Sequence, residues 1–450
     1  MTVTKQSVAA MVLIGLAVPA AAQTTTNLPP YANNPTWTGF YVGAAFGAGA
    51  MSNRADTSAA GFSATLNAPG GSGVLGSIYG GVDYRVLPRA VIGLLGEVSL
   101  AGFQSSNSVQ VPGGNATVAS NAGFGWAALV RAGVLANPST LIYLVGGYTG
   151  QNIHTDAYAN VNGASAYASR DDTVNGWTFG PGVETVLDGR WSAKLEYRYS
   201  QFEQKTLSGT NLVISPSSQA VRVGLAYKFG GLAPSAADQE PEAAPAPFNW
   251  TGFYGGVAGG GGIGFNRTTA QAGGASASFD ATGQSLLGSV FAGFDYQVAR
   301  QAVVGVMGDF TWASLQSNAS LAAGGNGVFA NVRADRSWSV MGRLGFLPVP
   351  STMIYGAAGY TGENVNATAT AAVGGNVGSV SQDATLQGWT VGPGIETVVT
   401  GGWTTRLEYR YSQYEQKQIV NGVTTQPASH TIRLGLAYKF GVGIPAPGGE

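Results

Sequence analysis

The sequence predicts an all-β chain organised as two tandem eight-stranded antiparallel up-and-down transmembrane β-barrels, and three observations lead there. One phrase that alternates charge with aromatic bulk occurs twice, "LEYRYSQFEQK" at Leu195 to Lys205 and "LEYRYSQYEQK" at Leu407 to Lys417. Candidate strands alternate in polarity, and the connections between them alternate between long and short. Nothing after Gln23 approaches the roughly 20 apolar residues of a membrane-spanning helix, so a membrane can be crossed only by strands.

The duplication extends beyond the phrase. Gly176 to Lys205 aligns without gaps to Gly388 to Lys417, with 21 of 30 positions identical. "WTGFY" recurs at Trp37 and Trp250, "DY" at Asp83 and Asp295, "YTG" at Tyr148 and Tyr360, and "GLAYKFG" at Gly224 and Gly435. A repeat of this length is a domain, too long for a solenoid unit.

Residues 1–22 read as a signal peptide: Lys5, the apolar run from Val8, and Ala20-Ala21-Ala22 before Gln23. A short N-terminal linker occupies 23–36. In the first unit strands are expected near 38–50, 72–86, 90–103, 123–136, 140–153, 173–187, 190–204 and 218–229. Their long connections begin at Met51, Gln104 and His154, and the short ones are "LPR", "NPS" and "DG". The second unit has short turns at "ARQ", "PVPS" and "TGG". Long connections on one side and short ones on the other are the habit of outer-membrane barrels. An even strand number returns both ends of each barrel to the short-turn side. That places the termini and linker in the periplasm and the long loops outside the cell.

Along the repeated phrase Lys194, Glu196, Arg198 and Ser200 share one face, and Leu195, Tyr197 and Tyr199 the other. In a membrane barrel the first face meets the lumen and the second meets lipid. Glycine, 69 residues of 450, fits a narrow interior where small residues alternate with large. Gly133, Gly182 and Gly224 lie beside Arg131, Glu184 and Arg222 on the inward face. Aromatic residues near strand ends (Trp37, Phe40, Tyr41, Trp177, Trp191, Tyr227, Phe229) are expected to form interfacial girdles.

"WTGFYVG", "GWTFGPGVE", "LEYRYS" and the closing "VGLAYKF" resemble the small outer-membrane β-barrel proteins of α-proteobacteria, the immunogenic porin-like surface proteins. They are similar, more distantly, to opacity-type antigens and OmpA-type barrels. The resemblance covers nearly all of the mature chain, once per unit, and carries no catalytic signature. It implies the outer membrane of a Gram-negative cell, with outer-membrane lipid and the barrel assembly machinery as partners. Members of that family carry one barrel and usually end on an aromatic residue; here Phe440 is followed by "GVGIPAPGGE".

Sixteen strands could also close as one wide barrel. Residues 230–249 are rich in Pro and Ala, acidic, and without strand alternation, which marks a linker. Two barrels, 37–229 and 250–440, with a tail at 441–450, are therefore expected, the alternative being a single sixteen-stranded barrel. Cutting the linker near Ala236 is expected to let the halves separate.

The inward charges of the first unit are Asp83, Arg85, Glu97, Arg131, Glu184, Lys194, Glu196, Arg198, Arg222 and Lys228. The second unit has Asp295, Asp309, Arg343, Glu396, Arg406, Glu408, Arg410, Arg433 and Lys439, with Gln297 in place of Arg85. Two readings follow: a structural lattice that fills a narrow lumen, or the selectivity lining of a porin for small solutes. Eight strands leave an interior that side chains just fill, which favours the lattice. Glu184 and Arg222 are the expected partners of Glu196 and Arg198. A third reading, a surface adhesin or ligand-binding protein, would act through the long loops.

Composition excludes other classes. A formal net charge of −1 supplies no basic patch for nucleic acid. Zero cysteines remove disulfides and thiolate metal sites. Neither an enzyme nor a cofactor is expected. His154 and His430, both expected at the surface, occupy non-equivalent places, and Ser429 and His430 must face opposite ways. The glycine runs at Gly70 and Gly259 lack a phosphate-loop lysine. Asn115-Ala-Thr and Asn366-Ala-Thr match a glycosylation pattern that carries little weight on a bacterial surface.

Overall fold

The structure, a computed structural model, describes residues 37–59, 62–206, 213–230, 232, 248–272, 275–323, 326–373, 376–420 and 423–440. The expected signal peptide, N-terminal linker and tail, and most of the expected Pro/Ala-rich linker, lie outside the described residues.

The first unit holds β1 (Gly39–Ala59), β2 (Phe62–Leu87), β3 (Ala90–Ala101), β4 (Gln104–Val111), β5 (Gly114–Asn137), β6 (Thr140–Val161), β7 (Ala164–Asp188), β8 (Trp191–Phe202), β9 (Lys205–Thr206) and β10 (Val213–Gly230). The second holds β11 (Gly252–Ala272), β12 (Ala275–Ala299), β13 (Ala302–Ala323), β14 (Asn326–Val349), β15 (Thr352–Val373), β16 (Asn376–Thr400), β17 (Trp403–Tyr414), β18 (Lys417–Val420) and β19 (Val423–Lys439). Short β4, β9 and β18 prolong β3, β8 and β17 beyond local irregularities. Each unit therefore has eight ring positions, joined in chain order by antiparallel pairing. The first closes through β1 on β10 and the second through β11 on β19. Closure satisfies every edge amide, the condition for strands in lipid. A single sixteen-stranded ring is ruled out by these two closures.

The short turns fall where the sequence places them. The long connections differ: they are hydrogen-bonded ribbons. β1 and β2 run on in register from Arg54 opposite Asn67 to Ala59 opposite Phe62. Antiparallel pairing satisfies the backbone there, so the ribbon needs no hydrophobic alternation to persist.

The expected girdle also needs correction. Phe40, Trp177, Trp191 and Phe229 project outward, whereas Trp37 and Tyr41 are buried inside the barrel. Trp37 folds back under the ring and donates from Nε1 to the Pro138 carbonyl at 2.9 Å. The reversal is made at Gly39, whose φ of 142° and contact with the Gly230 backbone leave no room for a Cβ. Trp250 repeats the arrangement, donating to the Pro350 carbonyl at 2.9 Å beside Gly252. Above each tryptophan lies an apolar core within the barrel, Val91, Leu95, Leu129 and Leu141 in the first and Val303, Met307, Met341 and Met353 in the second.

The barrels pack side by side through equivalent faces. Val183, Leu195 and Val221 of the first meet Ile395, Leu407, Tyr409 and Ile432 of the second, with Ile142, Tyr197, Ile354 and Tyr411 at the margin. At the short-turn end the hydroxyls of Thr185, Thr140, Thr352 and Thr397 form one ladder, with steps of 3.0, 2.8 and 2.8 Å. Thr140 and Thr352 occupy matching positions in the two repeats, as do Thr185 and Thr397, so the contact has the symmetry of a homodimer interface. Beyond the barrels the symmetry breaks: β12 pairs with β4 and β13 with β2. Part of the outer face assigned to lipid is thus covered by protein. His430, expected at the surface and ahead of a strand, lies within β19 in this contact, its Nδ1 2.6 Å from the Tyr409 hydroxyl.

Candidate functional site

Period-two alternation carries the charged residues of β2, β3, β5, β7, β8 and β10 into the first lumen, where they form two connected layers. In the lower layer, near the short turns, Arg131 donates from Nε to Asp83 and from Nη1 to Glu184, each at 2.7 Å, and from Nη2 to the second Asp83 oxygen. Lys228 lies 2.9 Å from Glu184 and 3.6 Å from Asp83. Ser192 donates to Glu184 at 2.8 Å. The Arg131 guanidinium lies 4.8 Å from the Tyr41 ring centre and Lys228 4.3 Å from that of Trp37, adding cation–π attraction.

In the upper layer Arg198 makes a two-pronged pair with Glu97, both bonds 2.9 Å, and donates from Nε to Glu196 at 2.6 Å. Arg222 approaches Glu97 at 3.3 Å. Tyr143 donates to the other Glu196 oxygen at 2.7 Å. Lys194 lies 3.5 Å from the Tyr79 ring centre and 3.6 Å from Glu196. Glu184 thus belongs to the lower layer, with Arg131 and Lys228, and is not the expected partner of Glu196 and Arg198. The reason is register: Glu184 stands opposite Lys194 and Leu141, one layer below the Arg198 head group. Arg85 donates from Nε to the Pro88 carbonyl at 2.9 Å.

The second lumen repeats both layers. Arg343 donates to Asp295 at 2.7 Å and to Glu396 at 2.8 Å, and Lys439 joins Asp295. Arg410 pairs with Glu408 and Asp309, Arg433 donates to Asp309 at 2.9 Å, and Tyr355 donates to Glu408 at 2.6 Å. Arg406 rests on the Phe291 ring at 3.5 Å, as Lys194 rests on Tyr79. Gln297 does the work of Arg85 without its charge, donating to the Arg300 carbonyl at 3.2 Å.

Glycine makes the lattice fit. A Cβ on Gly182 would lie 2.3 Å from the Tyr143 ring, and one on Gly394 2.3 Å from Tyr355. Sequence reading missed these ring-bearing residues. Tyr143 sits on β6 between inward Leu141 and Val145, with Ile142 and Leu144 facing out, so both faces are apolar and periodicity gives no contrast. Its only signal is the glycine opposite. Water-accessible space in the upper lumens comes to about 20 Å³ in the first barrel and 30 Å³ in the second, room for one or two waters each.

The remaining candidates lie outside the two charged lattices. His154, on the hairpin extension of β6, lies 2.8 Å from Asp171 and 3.2 Å from Asp156. The carboxylates hold its imidazole above the ordinary histidine value, the hydrogen bond to Asp171 being the main cause. Ser429 faces the lumen and His430 the barrel contact, so they do not cooperate. The glycine runs at Gly70 and Gly259 lie within strands β2 and β11. Among the described residues no group of three or more potential metal ligands occurs.

The chain is similar to the 31 kDa outer-membrane immunogenic protein of Brucella melitensis, 30% identical over 215 residues that make up 44% of this chain and 88% of that relative. It is 31% identical over 210 residues to the 22 kDa outer membrane protein of Rhizobium leguminosarum bv. viciae, covering 45% of this chain and 83% of the relative. Among solved structures, Ail, the attachment invasion locus protein of Yersinia pestis, aligns at a TM-score of 0.23 and 15% identity, over 42% of this chain and 99% of Ail. The outer membrane protein beta-barrel domain family matches residues 8–229 and again 236–440. With two such matches, two closed eight-stranded rings and no other described domain, the chain belongs to the outer membrane protein beta-barrel family, as a tandem duplicate.

Proposed function

We propose that the protein is a plugged, paired outer-membrane barrel with a structural and surface-display role: neither an open porin nor an enzyme. The observation that carries this is the state of the lumens. Most of their buried acids and bases are committed to one another in two layers, over apolar cores sealed by Trp37 and Trp250. Such a lattice adds rigidity and leaves no continuous aqueous path, in keeping with eight-stranded barrels whose interior side chains fill. In this reading the short turns and the linker face the periplasm and the ribbons face outward, exposing Tyr167 and Val377 at the cell surface. Outer-membrane lipid and the barrel assembly machinery are its partners, and nucleic acid is not. Liposome swelling tests the role: vesicles carrying the protein should swell in small sugars no faster than protein-free vesicles. Swelling that falls with increasing sugar size would establish the porin reading instead.

A further inference from the structure

We propose that the upper lumen of the first barrel holds a small monovalent anion, of halide size, against the Arg222 guanidinium, in the role that the Glu363 carboxylate fills in the second barrel. The upper layer of the first barrel has three bases, Lys194, Arg198 and Arg222, and two acids, Glu97 and Glu196. The lower layer, Arg131 and Lys228 with Asp83 and Glu184, is already balanced. One positive charge is therefore left over inside the barrel, where an uncompensated charge is costly. The second barrel has no such excess. There Arg406, Arg410 and Arg433 stand with Asp309, Glu408 and Glu363.

Arg222 locates the excess. Its Nη1 is buried and has no hydrogen-bond partner among the described residues, and its Nε lies 3.3 Å from Glu97 without hydrogen-bond geometry. Both Glu97 oxygens already accept from Arg198. The matching Arg433 differs, since its Nη1 donates to Asp309 at 2.9 Å. A guanidinium stays charged at any pH a cell meets, so Arg222 cannot relieve the imbalance by losing a proton. Water would satisfy the N–H groups but not the charge.

The space beside Arg222 suits one small ion. About 20 Å³ is open to water there, room for one water-sized guest and too little for sulfate or phosphate. Ser99 and Ser218 line the same cavity and supply hydroxyl donors. Gln151, in the place of Glu363, brings no charge, and its amide is spent on the Gly123 and Phe124 carbonyls at 2.9 and 3.1 Å. One copy of the repeat thus balances its bases with a side chain of its own, and the other does so with an ion from solution.

The test uses the full chain in detergent, unfolded thermally in sodium chloride, bromide or gluconate at matched ionic strength, which holds general screening constant. Chloride or bromide should raise the midpoint over gluconate, by an equal step for each tenfold increase past half-saturation. Gln151→Glu, which copies the second barrel, should abolish that step. Chlorine-NMR line broadening by the wild-type protein, reversed by excess bromide, gives a second readout that does not depend on a variant folding. A step that survives Gln151→Glu would overturn the site. So would equal midpoints in all three salts, since the layer would then balance itself by keeping Lys194 neutral.

Discussion

Arg198→Ala removes the residue that ties the upper lattice of the first barrel together. It deletes both bonds to Glu97 and the bond to Glu196, leaving two buried carboxylates short of a partner. Breaking a buried ion pair from one side costs about 3–5 kcal/mol. The lower end applies here, because Arg222 remains 3.3 Å from Glu97 and Lys194 3.6 Å from Glu196. At a urea dependence of about 1–3 kcal/mol per molar, a loss of about 3 kcal/mol lowers the midpoint by roughly 1–3 M. The assay is urea unfolding of purified protein followed by circular dichroism and by the gel-shift of folded barrels. Tyr199→Phe is the control, since its hydroxyl has only neutral partners, donating to Gln201 at 2.8 Å and hydrogen-bonded with Gln284 and Ser217, and its loss should cost about 1 kcal/mol. Arg410→Ala should reproduce the effect in the second barrel. An unchanged midpoint for Arg198→Ala would refute the lattice as a stabilising device, showing that water in the lumen already solvates these groups.

Other consequences follow from the same geometry. Cutting a protease site engineered near Ala236 should leave the halves associated in mild detergent, because matching apolar faces and the threonine ladder join them; separation on cleavage would show that only the linker holds the pair. Gly182→Ala must displace the Tyr143 ring and should destabilise by about 1–3 kcal/mol or more in the same urea assay, with Gly76→Ala, where an added Cβ meets nothing, as the comparison. A tag at Gly113 should be labelled on intact cells and one at Pro88 only after the outer membrane is opened; the reverse would invert the orientation. His154 should titrate above the ordinary histidine value by NMR, and Asp171→Asn should lower it. The imidazolium's contribution is then fully present below the unfolded-state value and is lost as pH rises through the folded one.

How much of this the sequence discloses depends on contrast. Glu196 and Arg198 are legible because they alternate with Leu195 and Tyr197 on a strand with one polar face. Both closures are legible as well, through the repeated "WTGFY" and "AYKF" on either side of a Pro-rich stretch. Tyr143 is not, since its strand is apolar on both sides, and Trp37 is not, since a girdle residue and a plug have the same composition. The pairing of the barrels is hidden for a related reason: Leu195 and Leu407 suit lipid and protein equally well. Partner choice in the lattice depends on stagger across the ring, which set Glu184 with Arg131 where strand proximity alone suggests Arg198. Glu363 escapes notice because its counterpart Gln151 is neutral, so comparing the repeats for retained charge passes over it.

Single-channel recording of the purified full chain in a planar bilayer tests the central claim, a lumen closed by its own charges, most directly. The account predicts current near the baseline of the bare membrane for the wild-type protein and a small, steady leak for Arg198→Ala. A large, ion-selective wild-type conductance, with selectivity inverted by Arg198→Glu at unchanged stability, would contradict it.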